Sequence, residues 1–262
     1  MSPTPAALPR LVGMVHLHPL PGSPSFAGDI AGVISDAVAD AVRLAEAGFD
    51  AVCVENFGDV PFFADDVPKV TIAAMTAAVQ AVRGATSLPL MVNVLRNDAL
   101  GALAIAAVSG VEMIRVNVLS GSMWTDQGVI HSRAAEIGRL RCEIAPDTLV
   151  LGDVFVKHAT PPPGVDLTQA TLDLVERGGA DAVIVSGSGT GSPPTLDTVK
   201  LVRSAAGDHP VYLGSGVSHE SVADFLGVAD GVIVGSALKV EGVATHPIDP
   251  SRAAAFVSAA NN

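Results

Sequence analysis

A regular alternation of short apolar runs with longer helical segments is the feature that most constrains the fold. Eight runs are rich in Val, Ile and Leu and too short for helices, as is typical of strands buried on both faces. They span residues 11–16, 51–54, 88–94, 113–118, 149–154, 182–185, 211–213 and 232–234. The intervening sequence predicts helices over 33–47, 70–84, 99–109, 129–145, 167–177, a segment capped by Thr195, 217–226 and 251–260.

This alternation predicts parallel strands joined by crossover helices. Eight such units in 262 residues are typical of a TIM (β/α)8 barrel. We therefore expect one domain over residues 1–262, with 1–9 as a loose N-terminal extension. A doubly wound open sheet is the structural alternative.

Composition excludes several classes of partner. The formal net charge of −12 disfavours a nucleic-acid backbone as the main partner. Charged residues interrupt every apolar stretch of membrane-spanning length, so no integral membrane segment is expected. The N-terminus lacks a basic segment followed by an apolar one, which favours a cytoplasmic location. Cys53 and Cys142 have no metal-binding spacing and are interpreted as buried free thiols.

Polar residues end the first five predicted strands, and small residues end the last three. In a TIM barrel the active site lies at the carboxyl ends of the strands. The polar candidates are His16, Glu55, Asn93, Arg115, Asn117, Asp153 and Lys157.

These residue types suit general acid–base chemistry. Either Glu55 or Asp153 would move a proton, and Lys157 or His16 would stabilise developing negative charge. The three remaining polar candidates are expected to contact substrate. A structural ion pair of Glu55 with Arg115 or Lys157 is the competing interpretation. Lys157 as a Schiff-base amine is a further alternative that no sequence feature supports.

Glycine-rich strand ends predict a phosphate site. Barrels of this kind commonly bind phosphate with the loops after the seventh and eighth strands, and glycines let the backbone approach a ligand closely. The predicted phosphate-binding residues are Gly187, Ser188, Gly189, Gly214, Ser215, Gly216, Gly235 and Ser236. A phosphorylated small molecule is therefore the expected ligand.

No cofactor is assigned from the sequence. No compact spacing of His, Asp and Glu demands a metal, although Glu55 with Asp153 is an alternative site for a divalent cation. The glycine-rich segment 187–191 lacks the Lys-Ser/Thr that follows a P-loop, so nucleotide hydrolysis ranks last. A homo-oligomer is expected only because barrels of this kind often self-associate, since no sequence feature indicates an oligomeric state.

Unusual motifs cover nearly the whole chain. They are GMVHL at 13–17, PLPGSP at 19–24, VENFGDVPF at 54–62, VNVLRND at 92–98, IRVN at 114–117, TDQG at 125–128, DV at 153–154, VKHA at 156–159 and VSGSGTG at 185–191. In this order they resemble the BtpA family, also called BtpA/SgcQ. The resemblance implies a barrel similar to the ribulose-phosphate-binding group. The family is named after a factor needed for photosystem I to accumulate, and it carries no settled catalytic residues.

Two classes of function follow. The first is an enzyme that acts on a phosphorylated sugar or nucleotide-like metabolite as a lyase, isomerase or aldolase. The second, which the family name implies, is a non-catalytic accessory or assembly factor with a sizeable exposed apolar patch. The polar residues at so many strand ends favour the enzyme.

Overall fold

Eleven strands form within residues 8–187 and 193–261, the part of the chain that this computed structural model describes. They are β1 Leu11–His16, β2 Ala51–Glu55, β3 Leu90–Asn93, β4 Met113–Val116, β5 Ser122–Thr125, β6 Gly128–His131, β7 Leu149–Val154, β8 Ala159–Thr160, β9 Ala182–Val185, β10 Val211–Leu213 and β11 Gly231–Val234.

Eight of these strands close into a parallel barrel in the order β1-β2-β3-β4-β7-β9-β10-β11. Strand β1 pairs in parallel with both β2 and β11, so the sheet has no free edge there. The TIM-barrel prediction is confirmed, and the open-sheet alternative is excluded.

Helices connect the strands on the outside of the barrel. They are α1 Ile30–Ala47, α2 Lys69–Ala85, α3 Ala99–Ser109, α4 Ala134–Ile144, α5 Leu167–Leu172 with a π-helical continuation Asp173–Arg177, α6 Leu196–Ala206, α7 Val222–Leu226 and α8 Pro250–Ala260. The predicted caps are present: Thr195 accepts a hydrogen bond from the Thr198 amide, and Gly48 and Gly110 end their helices in the left-handed conformation.

The segment after β4 differs from the sequence prediction. Residues 119–128 were expected to be loop and 129–145 helix, but β5 and β6 form a hairpin, β8 pairs with β5, and α4 begins only at Ala134. The hairpin buries Met123 and Ile130 while Trp124 and Val129 are exposed. This period-two alternation is typical of strands and was hidden in a short stretch.

Each barrel strand directs one apolar side chain into the interior just below its carboxyl end. These side chains are Met14, Cys53, Met91, Met113, Leu151, Ile184, Tyr212 and Ile233. Because side chains alternate along a strand, the residue two positions later faces the same interior at the top. Those residues are His16, Glu55, Asn93, Arg115, Asp153, Ser186, Gly214 and Gly235. The polar layer therefore lies directly on the apolar core.

The lower end of the barrel is closed by the N-terminal segment. The hydroxyl of the buried Tyr212 donates to the Pro9 carbonyl at 2.6 Å, and Leu8 packs against the interior cluster. Residues 8 and 9 of the expected loose extension are thus held by the barrel. Of the two cysteines, Cys53 is buried as expected, but Cys142 is exposed on α4, which corrects that prediction.

No helix among the described residues is long and apolar enough to cross a membrane. The cytoplasmic location and the homo-oligomer stay predictions.

A buried ion pair joins the last barrel loop to α1. The Lys239 ammonium, only 1% exposed, donates to Asp40 Oδ2 at 2.6 Å. The other Asp40 oxygen accepts from the Ile248 amide at 2.8 Å and from Arg43 at 2.9 Å. Asp40 thereby fixes the chain between β11 and α8.

We expect Lys239→Met to destabilise the protein by about 3 kcal/mol, because it leaves the buried Asp40 carboxylate without its ammonium partner. The midpoint Tm should fall by roughly 6–12 °C in thermal unfolding. Arg203→Met is the matched control, since Arg203 and Asp230 form a more exposed pair that contributes less than about 1 kcal/mol. Equal losses in the two variants would contradict this assignment.

Candidate active site

A small cavity of about 40 Å³ opens at the carboxyl ends of the barrel strands. Its lining comprises Met14, His16, Glu55, Phe57, Arg115, Lys157, Gly214, Ser215, Gly216, Gly235, Ser236 and Ala244. All of these except Met14, Phe57 and Ala244 are site residues that the sequence predicts. One cavity therefore brings the titratable strand ends together with the glycine-rich ones.

Asp153 is surrounded by four hydrogen-bond donors. Arg115 donates through Nε and Nη2, both at 2.8 Å, in a bidentate pair. Asn117 Nδ2 and Ser186 Oγ donate at 3.2 and 3.1 Å. Burial alone would lower the pKa of Arg115, but the Asp153 carboxylate raises it above its ordinary value. The Arg115 guanidinium therefore lines the cavity with a permanent positive charge.

These hydrogen bonds of Asp153 bear on the predicted roles of Asp153 and Glu55. Both Asp153 oxygens are engaged, and the residue lies outside the cavity lining, so it is poorly placed to move a substrate proton. The same engagement disfavours a divalent cation between Glu55 and Asp153. The competing ion pair of Glu55 with Arg115 does not form, because Arg115 uses Asp153 instead.

Asn93 and Asn117 belong to the same network. Asn93 Nδ2 donates to the Arg115 carbonyl and to Asn117 Oδ1, each at 3.1 Å. Neither asparagine lines the cavity that contains Glu55, and Asn117 with Asp153 borders a neighbouring one. Both asparagines support Arg115 through these hydrogen bonds, and their predicted contact with substrate stays a prediction.

His16 has a defined tautomer. Its Nδ1 lies 2.9 Å from the Ala244 carbonyl, which can only accept, so Nδ1 carries the proton. Burial lowers the pKa of His16, which favours the neutral ring, although Glu55 partly opposes this. The Nε2 lone pair then faces Glu55 Oε1 at 3.8 Å. With Nδ1 protonated, the neutral ring presents Nε2 to the cavity as a hydrogen-bond acceptor, and the predicted role of His16 in stabilising negative charge stays a prediction.

The motif around Glu55 positions this end of the barrel. Asn56 Oδ1 accepts from the Leu95 amide at 2.7 Å, and Asp59 Oδ1 accepts from the Leu20 amide at 2.7 Å. The loops after β1, β2 and β3 are thus tied together. Phe57, held in the same motif, stacks on the His16 ring with centroids 4.4 Å apart. Phe57 was not among the site residues predicted from the sequence, although its place in a dense polar motif was a signal.

Lys157 faces the cavity without a fixed partner. Among the described residues its ammonium makes no hydrogen bond or ion pair, which rules out the competing Glu55–Lys157 pair. Burial lowers the pKa of Lys157, and Glu55 partly opposes that shift.

The glycine positions are demanded by packing. A Cβ on Gly214 would lie 2.6 Å from both Ile184 Cγ2 and Ser186 Oγ, and one on Gly235 would lie 2.9 Å from His16 Cε1. Valine at either position would therefore disturb the protein itself. The Gly187 amide donates to Ser215 Oγ at 3.3 Å. The predicted Ser188 and Gly189 lie outside the described residues.

A second cavity of about 250 Å³ has a lining of Phe62, Arg96, Asp126 and His158. These residues were not among those predicted from the sequence, because only the hairpin brings Asp126 to this end of the barrel. Among the described residues, no group of three or more His, Cys, Asp and Glu side chains is arranged to hold a metal ion.

The fold and the cavity define a (β/α)8 barrel with a polar site at the carboxyl ends of its strands. The model of the BtpA family matches residues 9–262, so the chain belongs to the BtpA family. It is 45% identical over 249 residues to the Photosystem I biogenesis protein BtpA of Synechocystis sp., covering 95% of this chain and 87% of that protein. It is 47% identical over 252 residues to an uncharacterised protein of Thermococcus kodakarensis, covering 95% of this chain and 94% of the relative.

Solved structures share the fold at low sequence identity. A Mycobacterium tuberculosis tryptophan synthase structure aligns with a TM-score of 0.63 at 20% identity, covering 97% of this chain and 93% of that one. Phosphoribosyl anthranilate isomerase from Thermococcus kodakaraensis aligns with a TM-score of 0.59 at 16% identity, covering 97% and 100%. These similarities establish the barrel.

The lowered pKa of His16 predicts a pH dependence of stability. The unfolded chain, with the ordinary histidine pKa of 6.5, binds more protons at this position than the folded chain does. His16 therefore makes the protein lose stability as the pH falls below about 6.5. We expect Tm to fall less between pH 7.5 and pH 5 in His16→Gln than in the unsubstituted protein.

The control for this comparison is His219→Gln, which removes an exposed histidine. An identical pH profile for His16→Gln and the unsubstituted protein would contradict a buried neutral His16.

Proposed function

We propose that this protein is an enzyme that binds a phosphorylated small molecule at the carboxyl end of its barrel and acts on it by acid–base chemistry. The reaction class is lyase, isomerase or aldolase, and the substrate class is a phosphorylated sugar or nucleotide-like metabolite. The observation that carries the proposal is the single cavity in which Glu55, His16 and Lys157 face the glycine-rich strand ends.

The phosphate is proposed to lie against Gly214, Ser215, Gly216, Gly235 and Ser236. Gly216 has a φ of +77°, which a residue with a side chain rarely adopts, and such turns direct backbone N–H groups toward an anion. The cationic Arg115 lies in the same cavity and adds favourable charge. Two structural neighbours, thiamine phosphate pyrophosphorylase and phosphoribosyl anthranilate isomerase, carry names that refer to phosphorylated molecules, which supports this by fold analogy alone.

Glu55 is the proposed proton-transfer group. Its side chain is 8% exposed, lines the cavity and forms no hydrogen bond with the described residues. His16 Nε2, as a neutral acceptor, is placed to take a proton from a substrate hydroxyl. The fixed charge of Arg115 and the ammonium of Lys157 would stabilise negative charge that develops on the substrate. Asp153 would act through Arg115 as a positioning residue.

An accessory or assembly role is the second candidate. It is favoured by the name of the Synechocystis relative and by apolar side chains exposed on the loop after β2 and on the β5–β6 hairpin, at the site end of the barrel. These side chains are Val60, Phe63, Trp124 and Val129. An assembly role does not require a cavity in which the Glu55 and Lys157 side chains make no hydrogen bond with the described residues, and this favours the enzyme.

The phosphate proposal predicts a ligand-dependent shift of Tm. A ligand at one hundred times its Kd stabilises the folded state by about 2.7 kcal/mol, or roughly 5–10 °C for a chain of this size. We expect a shift of this size for one class of sugar phosphate or nucleotide and none for its dephosphorylated partner. Ser236→Asp should abolish the shift by charge repulsion, while Ser204→Asp, on the exposed face of α6, should preserve it.

If none of the sugar phosphates and nucleotides shifts the Tm of the folded protein, the phosphate site is refuted and the accessory role is favoured. A shift that survives Ser236→Asp would place the phosphate elsewhere.

The roles of the two carboxylates are separable. The ligand that raises Tm is incubated with the enzyme in D₂O, and hydrogen exchange at carbon is followed by NMR. We expect Glu55→Gln to keep the Tm of the unsubstituted protein and to slow exchange by about 10²-fold or more. Asp153→Asn should lower Tm instead, because it leaves the Arg115 guanidinium buried without its counter-charge.

Glu46→Gln, an exposed carboxylate on α1, is the control for this experiment. Full exchange activity in Glu55→Gln would show that another group moves the proton.

A further inference from the structure

The backbone around Lys157 is held in an unusual conformation. Phe155 and His158 have φ values of +50° and +58°, in the left-handed region that residues with side chains rarely occupy. Such conformations persist only where the surroundings enforce them, and they cluster at functional sites. Arg96 Nη2 donates to the Lys157 carbonyl at 2.5 Å, and the side chain of Val156 is buried in the cluster with Val118, Met123 and Ile130. The loop is therefore built to fix the position of Lys157.

The side chain of Lys157 differs from the other lysines of the chain. Lys69 and Lys200 are exposed on helices, and Lys239 is buried in its ion pair with Asp40. Lys157 alone lines the cavity, with Glu55 in the same lining and no hydrogen bond among the described residues. An ammonium that is partly buried without an ion pair is costly, and this desolvation lowers the pKa of the amine. The neutral amine is a nucleophile.

We propose that Lys157 forms an imine with an aldehyde or ketone carbonyl of the substrate. This inference rests on the proposed function, since the phosphate bound at the glycine-rich strand ends would hold the carbonyl in the cavity beside Lys157. It narrows the substrate class to a phosphorylated carbonyl compound.

The step balances without an oxidant or cofactor. The Lys157 ammonium first gives one proton to Glu55, and the neutral Nζ attacks the carbonyl carbon. The C–N bond forms as the carbonyl electron pair moves to oxygen, and this oxygen takes a second proton from nitrogen. Glu55 returns its proton to the hydroxyl group, which leaves as water while the nitrogen lone pair forms the C=N bond. The net change converts R–NH₃⁺ and O=CR₂ into R–NH⁺=CR₂ and H₂O. The iminium then withdraws electrons from the neighbouring carbon, where Glu55 would remove a proton.

The test is reductive trapping. The protein is incubated with glyceraldehyde phosphate, dihydroxyacetone phosphate or ribulose phosphate, reduced with sodium borohydride, digested and mapped by mass spectrometry. The reduced adduct adds the mass of the compound less one oxygen atom. We expect it on Lys157, at least about tenfold more abundant than with the dephosphorylated compound at equal concentration. The adduct should disappear in Lys157→Arg and persist in Lys69→Arg and Lys200→Arg.

Other labelling patterns overturn the inference. Adducts confined to Lys69 and Lys200, or equal labelling with and without phosphate, would show only solvent-exposed amine chemistry. No adduct alongside a Tm shift with a phosphorylated ligand would refute the imine and leave the proposed function standing. No adduct, together with no Tm shift for any phosphorylated ligand, would refute both the imine and the proposed function. Because peptide mapping of the unsubstituted protein locates the adduct, the result does not depend on how well Lys157→Arg folds.

Discussion

Filling the interior of a closed barrel is the constraint on which this structure depends. Eight parallel strands each direct every second side chain inward, so the same positions that complete the apolar core also determine what lies at its mouth. Below the mouth the inward residues are apolar, among them Met14, Cys53 and Leu151. Two residues later they become polar or glycine. The site is thus the last layer of the core, and it is as firmly positioned as the core itself.

At the mouth of the barrel, one pair of charged side chains is fully hydrogen-bonded and two other charged side chains face the cavity. Arg115 and Asp153 compensate each other completely, with Asn117 and Ser186 supplying further donors. Such a network is rigid because breaking any part leaves a buried charge without a partner. The side chains of Glu55 and Lys157 instead face the cavity and make no hydrogen bond with the residues that the structure describes. The proposed chemistry depends on this difference. Arg115 and Asp153 neutralise each other, whereas Glu55 and Lys157 are available to contact a ligand.

Several features were predictable because they depend on local sequence. Helix ends at Gly48 and Gly110, the cap at Thr195, and the strand ends that carry Glu55 and the glycines follow from residue type and spacing. The hairpin after β4 was missed because its two strands are short and Gly128 reads as the end of a loop. The burial assigned to Cys142 was wrong because helix orientation decides which face of α4 meets the barrel.

The sequence by itself determined the barrel, the family and the set of polar residues at its mouth, since the period of apolar residues dictates strands and helices. The sequence could not show which of those residues pair with one another and which face the cavity. Only the closed barrel decided that Arg115 pairs with Asp153 rather than Glu55 and that Asn93 and Asn117 support this pair. It also decided that Lys157 lines the same cavity as Glu55. Partner choice among buried charges depends on distances between strands that are far apart in sequence, and local patterns contain no measure of those distances.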